Sequence, residues 1–218
     1  MGDIKTAYKS SKSIYDDTLT QKKWWSKLYI SMFWGGVDDT EIANRILKMI
    51  PDNFNGKILD VPVGTAVFTL SKYKMLNSAD ITCLDYSDDM LSLASKRFED
   101  MGLSNITCMQ GDVGNLEFED NTFDILLSMN GFHAFPDKGK AFSETTRVLK
   151  HGGIFCGCFY IKGENKISDF VVRSFLSKKG WFTPPFQTFE ELENVLHGLY
   201  SKVELFNEQS IAYFKCIK

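Results

Sequence analysis

The sequence predicts an α/β domain: a seven-stranded, mostly parallel sheet with helices on both faces, closed by an antiparallel C-terminal hairpin. Three observations carry this. From Lys57 onward, short apolar runs alternate with helical patterns, as in βαβ units whose parallel sheet is covered on both faces. After Tyr160 the alternation stops, and two apolar runs near the C-terminus stand a hairpin-length connection apart. At 218 residues, 44% hydrophobic and 24% charged, the chain has the proportions of one domain able to bury its core without metal or disulfide staples.

Taken in order, residues 10–36 carry Tyr15, Trp24, Trp25, Tyr29, Phe33 and Trp34 among lysines, an aromatic prefix expected to cover something. A helix follows over Asp38 to Ile50, where Asp38 or Asp39 caps, Ile42, Ile46, Leu47 and Ile50 share a face, and Pro51 stops it. The five parallel strands are expected at Lys57 to Val61, Asp80 to Asp85, Ile106 to Gln110, Phe123 to Met129 and Gly153 to Tyr160. Helices are expected between them at Ala66 to Tyr73, Asp88 to Met101 and Lys138 to Leu149. One or two helices, including Phe189 to Leu199, lead to the closing strands Lys202 to Phe206 and Ile211 to Ile217, joined through Asn207 to Ser210.

Charge and cysteine usage narrow the function. A formal net charge of -3 and a pI near 5.7 argue against nucleic acid as a partner, since phosphate-tracking surfaces show clustered excess Lys and Arg. Cys83, Cys108, Cys156, Cys158 and Cys216 fall in apolar strands with no C-x-x-C spacing. Cys156 and Cys158 share a strand face, yet buried reduced thiols are the favoured reading, and no metal site is expected. The opening MGDIKTAYKS carries charges and no apolar run, so a cytoplasmic protein without membrane insertion is expected.

The chemistry is written at the strand ends. Ile58-Leu59-Asp60-Val61-Pro62-Val63-Gly64-Thr65-Ala66 sets an acid and a small-residue turn after an apolar strand, a pocket for a nucleotide-like ligand at the sheet's topological switch point. Asp60 stands where a phosphate would be repelled, so a cationic or zwitterionic ligand suits it better. Asp85 ends the second strand at the distance where an acid accepts from ribose hydroxyls, with Asp88 free to cap the next helix. In Gln110-Gly111-Asp112-Val113, a third acid beside a small residue is placed to accept from an adenine amino group.

Together these segments resemble the class I S-adenosylmethionine-dependent methyltransferases, in particular the small-molecule branch that includes quinone-biosynthesis enzymes. ILDVPVGTA is similar to the family's glycine-rich first motif, LDYSDDML to its ribose-binding strand end, GDVGNLEFEDNTFDILLSMNGFHAF to its adenine and active-site motifs, and SETTRVLKHGGIF to its helix, turn and fifth strand. The resemblance implies a Rossmann-like fold and S-adenosyl-L-methionine as cofactor. It implies that Asp60, Pro62, Gly64 and Thr65 surround the methionine moiety, and that Asp85, within the strand end that continues into Tyr86 and Ser87, takes the ribose. It places Gly111, Asp112 and Val113 at the adenine, with Tyr86 and Met90 against its ring, and Met129 and Asn130 beside the sulfonium. The family's first motif usually holds three glycines; here Pro62 and Ala66 take the outer positions and only Gly64 remains. Pro62 is harmless where φ is already compatible and the N–H unpaired, and Ala66 is expected to tighten the pocket by one methyl.

Residues 1–218 are thus expected to form a single methyltransferase domain, with 1–36 an aromatic lid, 37–160 the cofactor-binding core, and 161–218 lid helices and the closing hairpin. The acceptor is expected to be a small, apolar or aromatic molecule, with its methylated atom (O, N or C) left open. His133 is the candidate general base if the acceptor must lose a proton; packing in its loop is the competing role. Trp181, Phe182, Phe186 and Phe189 join the N-terminal aromatics as lid, core or homodimer contact. A nicotinamide-dependent oxidoreductase is disfavoured by the missing G-x-G-x-x-G, and a non-catalytic S-adenosylmethionine sensor or scaffold shares the same binding motifs.

Overall fold

A computed structural model of the chain describes residues 37–218. The expected aromatic lid over 1–36, with Trp24, Trp25 and Trp34, lies outside the described residues.

The described elements follow one another as α1 (Asp39–Leu47), β1 (Lys57–Asp60), α2 (Leu70–Tyr73), β2 (Asp80–Asp85), α3 (Asp88–Asp100), β3 (Ile106–Gln110), β4 (Phe123–Met129), α4 (Lys138–Val148), β5 (Leu149–Tyr160), α5 (Lys166–Val171), a π-helical turn (Val172–Leu176), α6 (Phe189–Leu199), β6 (Lys202–Glu208) and β7 (Ile211–Ile217). All seven strands form one sheet in the order β3-β2-β1-β4-β5-β7-β6, with the first five parallel and β7 antiparallel to both β5 and β6. Chain order reverses between β1 and β4, so a crevice opens there at the carboxyl ends of the strands.

Two cores flank the sheet because successive strand side chains point to opposite faces. Ile58, Ile81, Cys83, Leu127 and Cys156 pack beneath α1, α3 and the π-helical turn, against Ile42, Ile46, Leu91, Ala94 and Val172. Leu59, Leu84, Leu126, Phe155 and Phe214 pack on the other side against Phe142 and Val148 of α4 and Leu192 and Leu196 of α6. The near-continuous apolar runs that marked these strands in the sequence are the consequence of burial on both faces.

Helix starts follow local chemistry. Asp38 caps α1 by accepting from the Thr40 N–H at 2.9 Å, Asp137 caps α4 by accepting from Lys140 at 2.9 Å, and Thr188 with Glu191 forms a capping box on α6. The cap of α3 is Ser87, whose hydroxyl accepts from Met90 N–H, and not Asp88 as the sequence suggested.

Several boundaries differ from expectation, three of them with a clear local cause. The helix expected from Ala66 begins only at Leu70, because Gly64 and Ala66 both take left-handed φ values of 55° and 58° and hold the chain in turns. Strand β5 begins at Leu149, and a bulge absorbs residues 150–153, since Phe123 pairs with Leu149 and Ile125 with Ile154. The closing hairpin is tighter than drawn: Glu208 pairs with Ile211 across a two-residue turn in which Gln209 has φ 49°.

Candidate functional site

The loops after β1, β2, β3 and β4 wall a cavity in the crevice, with Asp60, Gly64, Asp85, Asp112 and Asn130 among its lining residues. Of the residues expected to hold a cofactor, Asp60, Pro62, Gly64, Thr65, Asp85, Tyr86, Met90, Gly111, Asp112, Val113, Met129 and Asn130 line it. Ser87 does not: its side chain caps α3 and its N–H donates to Asp85, so it positions the acid from behind.

Asp85 is the organising group of the first two loops. One carboxylate oxygen accepts the Gly64 N–H and the other the Ser87 N–H, each at 2.9 Å, so one side chain locks the turn after β1 to the end of β2. Burial pushes its pKa up, against the pull of these backbone donors. A carboxylate held this way keeps further lone pairs on both oxygens for a pair of ligand hydroxyls.

Asp60 is fully buried at the end of β1 and accepts from the Tyr73 hydroxyl at 2.7 Å. Burial raises its pKa to about 7, Tyr73 opposes this, and the nearby Asp85 charge adds to it. Its other carboxylate oxygen and the Thr65 hydroxyl are buried polar atoms with no hydrogen-bond partner within the protein. Both residues stand in the cavity wall, so a polar or cationic ligand would satisfy atoms that otherwise carry a desolvation cost.

The turn after β1 shows how the altered glycine motif is accommodated. Pro62 follows a cis peptide bond, and its ring lies over Gly131 so closely that a Cβ on Gly131 would stand 2.2 Å from Pro62 Cδ. The absent side chain at Gly131 therefore makes room for the proline. Ala66 is buried in the wall in the left-handed region and not at a helix start, so its methyl narrows the cavity side of a turn. Asn130 also adopts φ 54°, a conformation its side chain type tolerates, and donates its N–H to Cys158 O at 2.7 Å.

His133 is placed differently from the expected base. It is buried and absent from the cavity lining, its Nδ1 accepts the Tyr160 N–H at 3.3 Å, and its ring stacks on Phe182 with centroids 3.9 Å apart and planes 8° apart. Burial, with Lys138 nearby, drives its pKa down to about 3. The loop carrying it is fastened to the segment after the π-helical turn: Thr183 N–H donates to His133 O at 2.9 Å, and Lys138 Nζ donates to Phe135 O at 3.1 Å and Thr183 O at 2.6 Å. Tyr160 and Phe186 complete this aromatic group, edge to face at 5.5 Å. Phe189, grouped with these rings in the sequence, instead packs on the opposite core.

Sequence reasoning missed Phe68, Thr69, Ala134, Phe135 and Pro136, which also line the cavity. The first two were read as helix; Ala134 and Phe135 close the segment likened to the family's active-site motif but were not singled out, and Pro136 follows them directly.

The residues fit an S-adenosyl group: two acids at adjacent strand ends, unpartnered buried oxygens beside them, a left-handed glycine turn and a third acid at β3. Among the described residues no cluster suited to a metal ion occurs, and no helix is long and apolar enough to cross a membrane.

Comparison with known proteins agrees with this geometry. Residues 58–153 match the model of a methyltransferase domain. The demethylmenaquinone methyltransferase of Staphylococcus carnosus is 37% identical over 111 residues, 50% of this chain and 45% of that protein. The chain thus matches about half the length of such relatives. Among solved structures, a possible histamine N-methyltransferase from Thermotoga maritima aligns with a TM-score of 0.69 at 15% identity, over 99% of this chain and all of its own. The phosphoethanolamine N-methyltransferase 2 of Haemonchus contortus, solved with S-adenosyl-L-methionine, aligns with a TM-score of 0.75 at 16% identity, over 100% of this chain and 60% of its own. At those identities the likeness is one of fold. The stretch from β1 into β5 that builds the cavity, residues 58–153, is thus the part of the chain that matches a methyltransferase domain and is similar to the demethylmenaquinone methyltransferases.

Proposed function

We propose that the protein transfers the methyl group of S-adenosyl-L-methionine to a small apolar or aromatic acceptor. The observation that carries the reading is the mixed polarity of the cavity wall: Asp60, Asp85 and Asp112 come from the ends of β1, β2 and β3, whereas Met129, Phe135 and Pro136, from the end of β4 and the loop after it, are apolar. The acids suit a nucleoside with a zwitterionic tail, and the apolar residues suit a ring. The names of the relatives point to a quinone-like ring as the first acceptor to screen. A chain of net charge -3 also suits a small-molecule acceptor better than a nucleic acid, and its free cysteines suit the cytoplasm.

The cofactor supplies a methyl group on a sulfonium, an electrophile open to in-line displacement. In this reading Asp85 would hold the ribose hydroxyls, Asp112 and Val113 the base, and Asp60 with Thr65 the polar tail, with Met129 and Asn130 lining the wall beside the reacting group. Alignment of this kind is worth about 7–11 kcal/mol of barrier. His133 acts by position and not as the base: its lone pair on Nδ1 is engaged by Tyr160 N–H, and its ring anchors Phe182. The Lys138 bridge from Phe135 O to Thr183 O ties the loop after β4 to the 181–186 segment, which serves to exclude water.

The test is calorimetric titration with S-adenosyl-L-methionine, its demethylated product and NAD, repeated on Asp85→Ala. Binding of the first two, strongly weakened by the substitution, and methylation of a screened ring acceptor are expected. A folded, cofactor-free sample that binds neither would sink the proposal, and preferential NAD binding would replace it.

A further inference from the structure

Register brings two cysteines together that are 25 positions apart in sequence, since Cys83 of β2 pairs directly with Cys108 of β3. Directly paired residues of parallel strands point to the same face, and adjacent strands run about 4.8 Å apart, within the roughly 4.4–6.8 Å Cα separation that disulfides bridge. Both side chains face the core beneath α3, where Cys83 is fully buried and Cys108 only partly, because β3 is the edge strand of the sheet.

The two thiols are also chemically unequal. The Cys83 S–H and the Ser95 hydroxyl hydrogen-bond to the Cys108 sulfur and outweigh burial and the Glu99 charge, so the Cys108 thiol is held below its ordinary value. Burial pushes the Cys83 thiol well up. A partly exposed thiolate beside a buried protonated thiol is the arrangement of an attacking and a resolving sulfur. The remaining cysteines do not offer it: Cys156 and Cys158 are both buried with thiols pushed up to about 12, and Cys216 pairs with Phe155 on the opposite face.

We propose that Cys108 and Cys83 form an oxidation site in which Cys108 reacts first with a peroxide and Cys83 closes the disulfide. The Cys108 thiolate attacks one peroxide oxygen and breaks the O–O bond; the departing hydroxide takes a proton from solvent as water, leaving Cys108 as a sulfenic acid. The Cys83 sulfur then attacks the Cys108 sulfur, the S–O bond breaks, and the Cys83 proton leaves with the hydroxyl as a second water. In sum, two thiols are oxidised to one disulfide and one peroxide is reduced to two waters. The site depends on strand register and on the unequal exposure of the two thiols, and is independent of the methyl-transfer reading.

The experiment treats the reduced full-length chain with hydrogen peroxide, blocks free thiols by alkylation, and reads intact mass and peptide maps. Expected are the loss of two hydrogens, a cross-linked pair of peptides holding Cys83 and Cys108, and reversal by dithiothreitol. In Cys83→Ser, or Cys83→Ala should the serine fail to fold, oxidation stops at a Cys108 sulfenic acid trapped by dimedone. In Cys108→Ser, Cys83 stays reduced over the same time. The proposal is overturned if both thiols stay free in folded protein at a dose that oxidises the urea-unfolded chain, or if the links involve Cys156, Cys158 or Cys216. Oxidation of Cys83 at the wild-type rate in Cys108→Ser overturns it equally.

Discussion

Replacing Asp60 by asparagine isolates the electrostatic cost built into the cavity wall. The carboxyl is fully buried, has one hydrogen bond from Tyr73 and one oxygen without a partner, and titrates at about 7 against 3.8 unperturbed. The folded state therefore binds this proton more tightly than the unfolded chain does, so between about pH 4 and 7 stability falls as pH rises. At 1.36 kcal/mol per pKa unit the full penalty is about 4 kcal/mol, more than half of which develops between pH 5 and 8. Asparagine keeps an oxygen to accept from Tyr73 and cannot ionise. Urea unfolding of wild type and Asp60→Asn at pH 5 and pH 8 should show the variant gaining on the wild type by roughly 2 to 3 kcal/mol across that interval. A gap that stays constant, or that moves in the wild type's favour at pH 8, would falsify the claim that Asp60 is held against ionisation by burial.

Further outcomes follow from the same geometry. Asp85→Ala strips two backbone N–H groups of their acceptor and should cost roughly 2 to 4 kcal/mol in thermal or urea unfolding, besides weakening cofactor binding. Gly131→Ala drives a methyl into Pro62 and Phe135 and should destabilise by about 1–3 kcal/mol, with much of the loss recovered in the Pro62→Ala/Gly131→Ala double variant; additive losses would refute the contact. His133 should show no imidazole titration by NMR between pH 5 and 8. Because its folded pKa of about 3 lies below the unfolded 6.5, it should also draw stability away as pH falls through that interval. Lys138→Met should loosen the 181–186 segment, read as faster amide exchange at Thr183, since it removes donors to Phe135 O and Thr183 O.

The sequence by itself determined the sheet and most of the cavity floor. Apolar runs such as Ile58-Leu59 and Ile125-Leu126-Leu127 have few alternatives to a strand buried on both faces; Asp60 and Asp85 end two parallel strands and Asp112 follows the edge strand β3, so their convergence follows from parallel order alone. Tertiary structure decided what depends on backbone angle and on neighbours distant in sequence. Nothing local announces that Ala66 is left-handed and postpones α2, that Ser87 caps and Asp88 does not, or that Gly131 exists to clear Pro62. His133 shows the distinction most plainly: its position after β4 suggested a base or a packed loop residue, and its contacts are made with the Tyr160 N–H and the Phe182 ring, 27 and 49 residues away. The Cys83 and Cys108 pairing is of the same kind, because each strand is legible in isolation while the register between them is fixed by packing across the whole sheet.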